Sequence, residues 1–159
     1  MRTKLTESGI GLIETIAALA IGVVVITSLV SLSVFSLRAS IQSKLLLQSS
    51  KLSAEELERV RAYRDSRSWS AFLTEMDAAL CFSQPCHVTS ALTVSPGTEV
   101  FDEGTPTQIS RSFQLSDPLG GGFDGDETLI RTSVSVAWTI GGKTQSAHTY
   151  TDLSNWREQ

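Results

Sequence analysis

A long apolar run near the start of the chain constrains the fold more than any other feature. From Thr15 to Leu37 the sequence holds no Asp, Glu, Lys or Arg. At a rise of about 1.5 Å per residue, a helix needs about 20 residues to cross the hydrocarbon core of a bilayer. The run is long enough, so the sequence predicts a membrane-spanning helix.

One acid, Glu14, directly precedes this run. A charged side chain in a membrane helix costs roughly 2.5–3.5 kcal/mol at mid-membrane on insertion scales, and less near the interface. An isolated carboxylate at this position therefore indicates a function, and it requires a cationic partner.

The residues around Glu14 carry a family resemblance. The segment from Gly9 to Glu14 reads GIGLIE, and it resembles the processing site of type IV pilins and of the pseudopilins of type II secretion and competence systems. The resemblance implies that a prepilin peptidase cuts after Gly9, that the new N-terminus at Ile10 is methylated, and that Glu14 acts in assembly. Ile10 stands where the family usually has Phe or Met, and Gly11 where Thr or Ser is common. The absence of Pro from Ile10 to Gln84 favours a minor pilin or pseudopilin over a major fibre subunit.

The resemblance also implies partners and a location. The expected partners are prepilin peptidase, other pilin or pseudopilin subunits, an inner-membrane assembly platform and the lipid of the cytoplasmic membrane. Arg2 and Lys4 precede the run, which predicts a cytoplasmic leader and a head outside the cytoplasm. Arg38 and Lys44 follow the run, so an inverted topology stays open. The chain is expected in the cytoplasmic (inner) membrane as a single-pass protein, and then in a pilus or pseudopilus.

Other interpretations remain open. A secretory signal peptide has a shorter apolar core that ends in an A-x-A-like site, and no good site of that kind precedes Arg38. A plain signal anchor accounts for the run but not for Glu14 so close to a glycine. A membrane-tethered domain that is never processed would share the same architecture. So would a fibre-tip subunit acting as an adhesin or in DNA uptake.

Length and charge are consistent with one small globular domain attached to a membrane helix. The chain has 159 residues and a formal net charge of −4, and loss of Arg2, Lys4 and Glu7 with the leader would bring it to −5. Proteins that bind nucleic acid usually carry a basic patch, so no nucleic acid is expected as a partner. The predicted divisions are a leader (1–9), a transmembrane and assembly helix (10–37), an amphipathic continuation (38–64) and a globular α+β head (65–159).

Helical patterning continues beyond the apolar run. Glu55 and Arg59, and Glu58 and Arg61, have the spacing of ion pairs on a helix surface. The predicted apolar stripe of this helix comprises Ile41, Leu45, Leu46, Leu52, Leu57, Val60 and Tyr63. A second helix is predicted from about Ser68 to Leu80, capped by Ser66 or Ser68, with a core stripe of Trp69, Phe72, Leu73, Met76 and Leu80.

The remainder of the head has strand patterning. Strands are predicted over Val88–Val94, Ile109–Leu115, Thr128–Ile140 and Thr144–Leu153, with a tight hairpin at Gly141 and Gly142. The predicted fold class is α+β and pilin-like: a long N-terminal helix, half membrane-spanning and half amphipathic, packs on a small antiparallel sheet of about four strands. The last hairpin also resembles that of minor pilins and pseudopilins.

Cys81 and Cys86 frame a four-residue loop. Outside the cytoplasm, an even pair this close indicates a disulfide, although two free thiols remain an alternative. His87 follows Cys86 directly and the only other histidine is His148. A haem attachment site or a zinc site is therefore a further alternative for this cluster.

The glycine-rich segment from Gly120 to Glu127 contains Asp124, Asp126 and Glu127. Acidic loops of this kind can supply oxygen ligands to Ca²⁺, and some secretion pseudopilins hold calcium before their final strands. A solvated turn is the alternative, so no cofactor is assigned and calcium stays possible.

No catalytic motif is present: the sequence has no G-x-S-x-G, P-loop or HExxH. We therefore expect a structural subunit without catalytic residues and not an enzyme.

Overall fold

The computed structural model describes residues 8–105, 108–140 and 142–156, with side chains described from Gly11 onward. Backbone contacts divide the chain into two compact units, and the boundary along the chain lies between Ser43 and Lys44. Helix α1 (Ser8–Asp65) begins in the first unit and ends in the second. The second unit also contains helix α2 (Trp69–Ala78) and the sheet.

The described residues form one antiparallel sheet of six strands. The strands are β1 (Cys86–Val88), β2 (Val94–Pro96), β3 (Glu99–Phe101), β4 (Ile109–Ser116), β5 (Leu129–Ile140) and β6 (Lys143–Ser154). Their order is β2-β1-β4-β5-β6, and β3 pairs with β4 beside β1. The fold class is therefore α+β, with a long N-terminal helix and a small antiparallel sheet, as predicted.

The long strands alternate buried and exposed side chains because one face of the sheet packs on the helices. On β5, Ile130, Thr132, Val134, Val136 and Trp138 are buried and alternate with less buried residues, as a strand with one face on the core requires. Full burial of a Val, Ile or Phe side chain contributes roughly 1.5–3 kcal/mol. The sheet's share of the core also includes Val88, Ile109, Phe113, Leu115 and Leu153.

The C-terminal part of α1 buries a stripe that is more polar than predicted. Leu46 and Ile41 were expected on the apolar stripe, but they are 55% and 47% exposed. The buried positions follow helical spacing along a face rotated toward Ser49, Ser53 and Glu56. The buried residues of α1 are Leu45, Ser49, Leu52, Ser53, Glu56, Leu57, Val60 and Tyr63.

Helix α2 is held at both of its ends. Ser68 caps it by accepting a hydrogen bond from the Ala71 N–H at 3.3 Å. The helix ends at Ala78, and Leu80, predicted as a core residue, is instead 53% exposed with φ +63°. The chain turns at Leu80, so this side chain leaves the stripe.

Tyr63 joins α1 to α2. Its hydroxyl donates to the Glu75 carboxylate. Burial is the larger cause, and this hydrogen bond the next, of a rise in the pKa of Tyr63 to about 12. The Arg67 guanidinium lies 3.8 Å from the Tyr63 ring centroid and pairs with Glu75 at 2.6 Å. These contacts close the α1–α2 corner.

Two strand predictions were incomplete. Val88–Val94 is not one strand: β1 and β2 form a hairpin whose turn includes Leu92 at φ +55°. The short strand β3 was not predicted. The described sheet therefore has six strands, where about four were expected. The predicted strands over Ile109–Leu115, Thr128–Ile140 and Thr144–Leu153 are confirmed within one or two residues.

Candidate functional site on the N-terminal helix

The apolar part of α1 is helical throughout and exposes its side chains. The large apolar residues from Leu12 to Leu37 are 42–71% exposed. Among the described residues, α1 is the single helix long and apolar enough to cross a membrane by length and composition. Such a surface favours burial in lipid or against other apolar surfaces.

The hydroxyl groups in this run are satisfied by the helix itself. Thr15 donates to the Leu12 carbonyl at 2.9 Å, and Ser28 donates to the Val24 carbonyl at 2.7 Å. Thr27, Ser31 and Ser33 make the same kind of local bond. Polar groups bonded in this way do not oppose burial in hydrocarbon.

Glu14 lies near the start of this helix and is exposed. Among the described residues it has neither an ion-pair nor a hydrogen-bond partner. The backbones of Gly9 and Ile10 belong to α1, whereas the Ile10 side chain, Arg2 and Lys4 lie outside the part of the chain that is described. Cleavage after Gly9, methylation of Ile10 and the assembly role of Glu14 therefore stay predictions.

The cysteine pair forms the predicted disulfide. The Cys81 and Cys86 sulfurs are 2.05 Å apart, and both residues are fully buried. The oxidised pair provides no thiolate for haem or zinc. His87 Nδ1 lies 3.3 Å from the Gly97 carbonyl, and His148 Nε2 lies 3.1 Å from Ser146 Oγ.

The acidic glycine loop uses its carboxylates internally. Glu127 accepts the backbone N–H groups of Asp124 at 2.7 Å and Gly125 at 3.1 Å. Asp124 accepts the N–H of Asp126 at 3.1 Å. In the part of the chain that the structure describes, no three His, Cys, Asp or Glu side chains form a metal-binding group. The possible calcium site at Asp124, Asp126 and Glu127 thus has no geometric support.

Sequence reasoning missed a charge cluster built around a buried ion pair; the cluster comprises Glu55, Glu56, Arg59, Glu99 and Arg111. Arg111 on β4 and Glu56 on α1 are both fully buried, and Arg111 Nε lies 3.1 Å from Glu56 Oε2. Arg111 also donates to the Glu99 carboxylate and to the Leu52 carbonyl, the latter at 3.2 Å.

The cluster joins α1, β1, β3 and β4. Glu56 accepts the Val88 N–H at 2.7 Å, and Arg59 donates to the Val88 carbonyl at 3.0 Å and to Glu55 at 2.6 Å. Burial raises the pKa of Glu56, while the Val88 hydrogen bond and Arg111 oppose that shift. Two signals were available in the sequence. Glu56 stands at a core position of the helical pattern, and Arg111 stands at an inward position of a strand.

Comparison with models of protein families, with curated proteins and with solved structures gave no match for this chain. The pilin resemblance therefore depends on the N-terminal residues and on the observed architecture: an apolar N-terminal helix whose C-terminal part packs on an antiparallel sheet. This architecture is consistent with a pilin-like fold.

Proposed function

We propose that this chain is a minor pilin or pseudopilin, a non-enzymatic subunit of a type IV pilus, type II secretion or competence filament. The observation that carries the proposal is Glu14, a carboxylate that has no partner among the described residues. It lies beside an exposed apolar helical run and five residues after Gly9. A simple membrane anchor has no use for this acid, since it only raises the free energy of insertion.

In this proposal the peptidase cuts after Gly9 and creates a new ammonium group at Ile10. Glu14 of one subunit then pairs with the Ile10 ammonium of a neighbour within the packed helices. A helix placed at the wrong axial position would leave a buried charge unpaired, which costs roughly 3–5 kcal/mol. The pair would therefore select the register, while apolar contacts hold the fibre.

The disulfide supports a head outside the cytoplasm, because such bonds persist in oxidising compartments. The proposed partners are prepilin peptidase, other pilin or pseudopilin subunits, the inner-membrane assembly platform and the lipid of the cytoplasmic membrane. The proposed location is the inner membrane, followed by the filament.

The test compares Glu14→Ala with Glu58→Ala, an exposed acid on the same helix beyond the apolar run. Both variants should enter the membrane, and mass spectrometry should find chains that begin at a methylated Ile10. Only Glu14→Ala should fail to enter sheared filaments. Normal incorporation of that variant would refute the assembly role. A mature chain that retains Met1 would instead identify an unprocessed membrane-tethered domain.

A further inference from the structure

Strand β6 is a long strand at the edge of the sheet. It pairs with β5 in an unbroken one-to-one register from Ile140↔Lys143 to Leu129↔Ser154. Among the described residues, no strand pairs with its other side. We call the stretch from Thr144 to Thr151 on that side the open edge.

The hairpin register fixes which backbone groups face outward. Ile140 and Lys143 close a two-residue loop, and the closing pair of such a loop is hydrogen-bonded. Hydrogen-bonded positions alternate along the strand, so odd-numbered residues of β6 bond to β5. The N–H and C=O groups of Thr144, Ser146, His148 and Tyr150 therefore point away from the sheet.

The open edge lacks the features that normally prevent strand addition. Proteins protect sheet edges with short strands, prolines, bulges or charged side chains. The opposite edge follows this rule, since β2 has three residues and ends at Pro96. Between Thr144 and Thr151 there is no proline and no charge, and the register shows no bulge.

We infer that the open edge binds an extended segment of another protein as an added antiparallel strand. Main-chain hydrogen bonds would supply the affinity, and alternate side chains the specificity. The uncharged edge exposes Ser146, His148 and Tyr150 on one face, which suits a segment rich in hydroxyl and β-branched residues.

The charges at the two ends of β6 define the partner further. Arg131 neutralises Asp152 through two hydrogen bonds of 2.8 and 3.0 Å. Lys143 has no ion pair among the described residues, so the partner should place an acid opposite it, at the C-terminal end of an antiparallel segment. A second copy of β6 does not meet this requirement. In a symmetric antiparallel pair, opposite residues share a face, and Lys143 and Asp152 lie on different faces.

The test measures binding of the fluorescein-labelled peptide KTVSVTVSTE to the full chain in detergent micelles by anisotropy. The same peptide with its C-terminal Glu replaced by Lys is the control ligand. Ser146→Pro removes an outward N–H, Ser146→Lys places a charge on the edge, and Ser146→Ala is the matched control. Tryptophan fluorescence checks that each variant is folded.

Wild type and Ser146→Ala should bind the peptide. Ser146→Pro and Ser146→Lys should bind it at least ten-fold more weakly, and wild type should bind the control peptide, which ends in Lys, more weakly. Amide hydrogen exchange of Ser146, His148 and Tyr150 should slow when the peptide is present. Equal binding by a folded Ser146→Lys variant, or no protection of these amides, would overturn the inference. Self-association abolished by Ser146→Lys would assign the edge to a second copy instead. The result does not depend on processing at Gly9, so it is separable from the proposed function.

Discussion

Replacing Arg111 with Met should destabilise the head more than any comparable surface change. Arg111 is fully buried and contacts three carboxylates, those of Glu55 at 3.8 Å, Glu56 at 3.1 Å and Glu99. Met preserves much of the side-chain volume, so the main effect is loss of positive charge. Removing one partner of a buried ion pair costs roughly 3–5 kcal/mol, since the other charge stays buried.

The partner variant should behave differently. Glu56→Gln leaves Arg111 paired with Glu55 and Glu99. It also removes a carboxylate that is costly to bury in its charged form, since burial raises the pKa of Glu56. We expect a loss of about 1 kcal/mol. In the double variant the two losses should not add, with a coupling of about 0.5–3 kcal/mol.

Urea unfolding of the full chain in detergent micelles measures these quantities. The tryptophans, Trp69, Trp138 and Trp156, all belong to the second unit, so their fluorescence reports the head. Arg61→Met is the matched control, because Arg61 is partly exposed and its i,i+3 pair with Glu58 is worth at most about 1 kcal/mol. An Arg111→Met loss below about 1 kcal/mol, or one equal to that of Arg61→Met, would contradict the reasoning.

Two further predictions concern the same head. Because the pKa of Glu56 is raised on folding, the folded chain keeps the Glu56 carboxyl protonated to higher pH than the unfolded chain does. The stability that this protonated carboxyl contributes is therefore full below about pH 4.5, and it is lost as pH rises through the folded-state pKa. The unfolding free energy of wild type minus that of Glu56→Gln should therefore fall as pH rises above 4.5, and a difference that rises instead would exclude this sign. Replacing both Cys81 and Cys86 with Ala should lower the unfolding free energy by about 2 kcal/mol, because the closed loop is short; reducing agent should destabilise wild type but not this variant.

The sequence predicted the elements with strong periodicity. β5 was predicted to within one residue because its buried residues alternate over a long span, and Ser68, one of the two candidate caps, is the cap of α2. The β1–β2 hairpin was missed because its turn places Leu92, not Gly or Asn, at a positive φ. A leucine at such a position gives no local signal.

The buried face of α1 could not be found from hydropathy alone. Glu56 and Ser53 are buried while Leu46 is exposed. Burial of Glu56 is possible only because Arg111, on a strand far along the chain, meets it in the folded state. The role proposed for Glu14 depends likewise on a partner, the Ile10 ammonium of a neighbouring subunit.

The stacked rings of Phe82 and Phe123, with centroids 3.9 Å apart, link the disulfide-closed turn to the acidic glycine loop. Phe82 belongs to the small ring closed by Cys81 and Cys86, whereas Phe123 belongs to the acidic glycine loop. Oxidation of the cysteines fixes the platform on which Phe123 rests. Reduction of the disulfide should therefore loosen the acidic loop as well as lower stability, and change the surface shape of the head on that side.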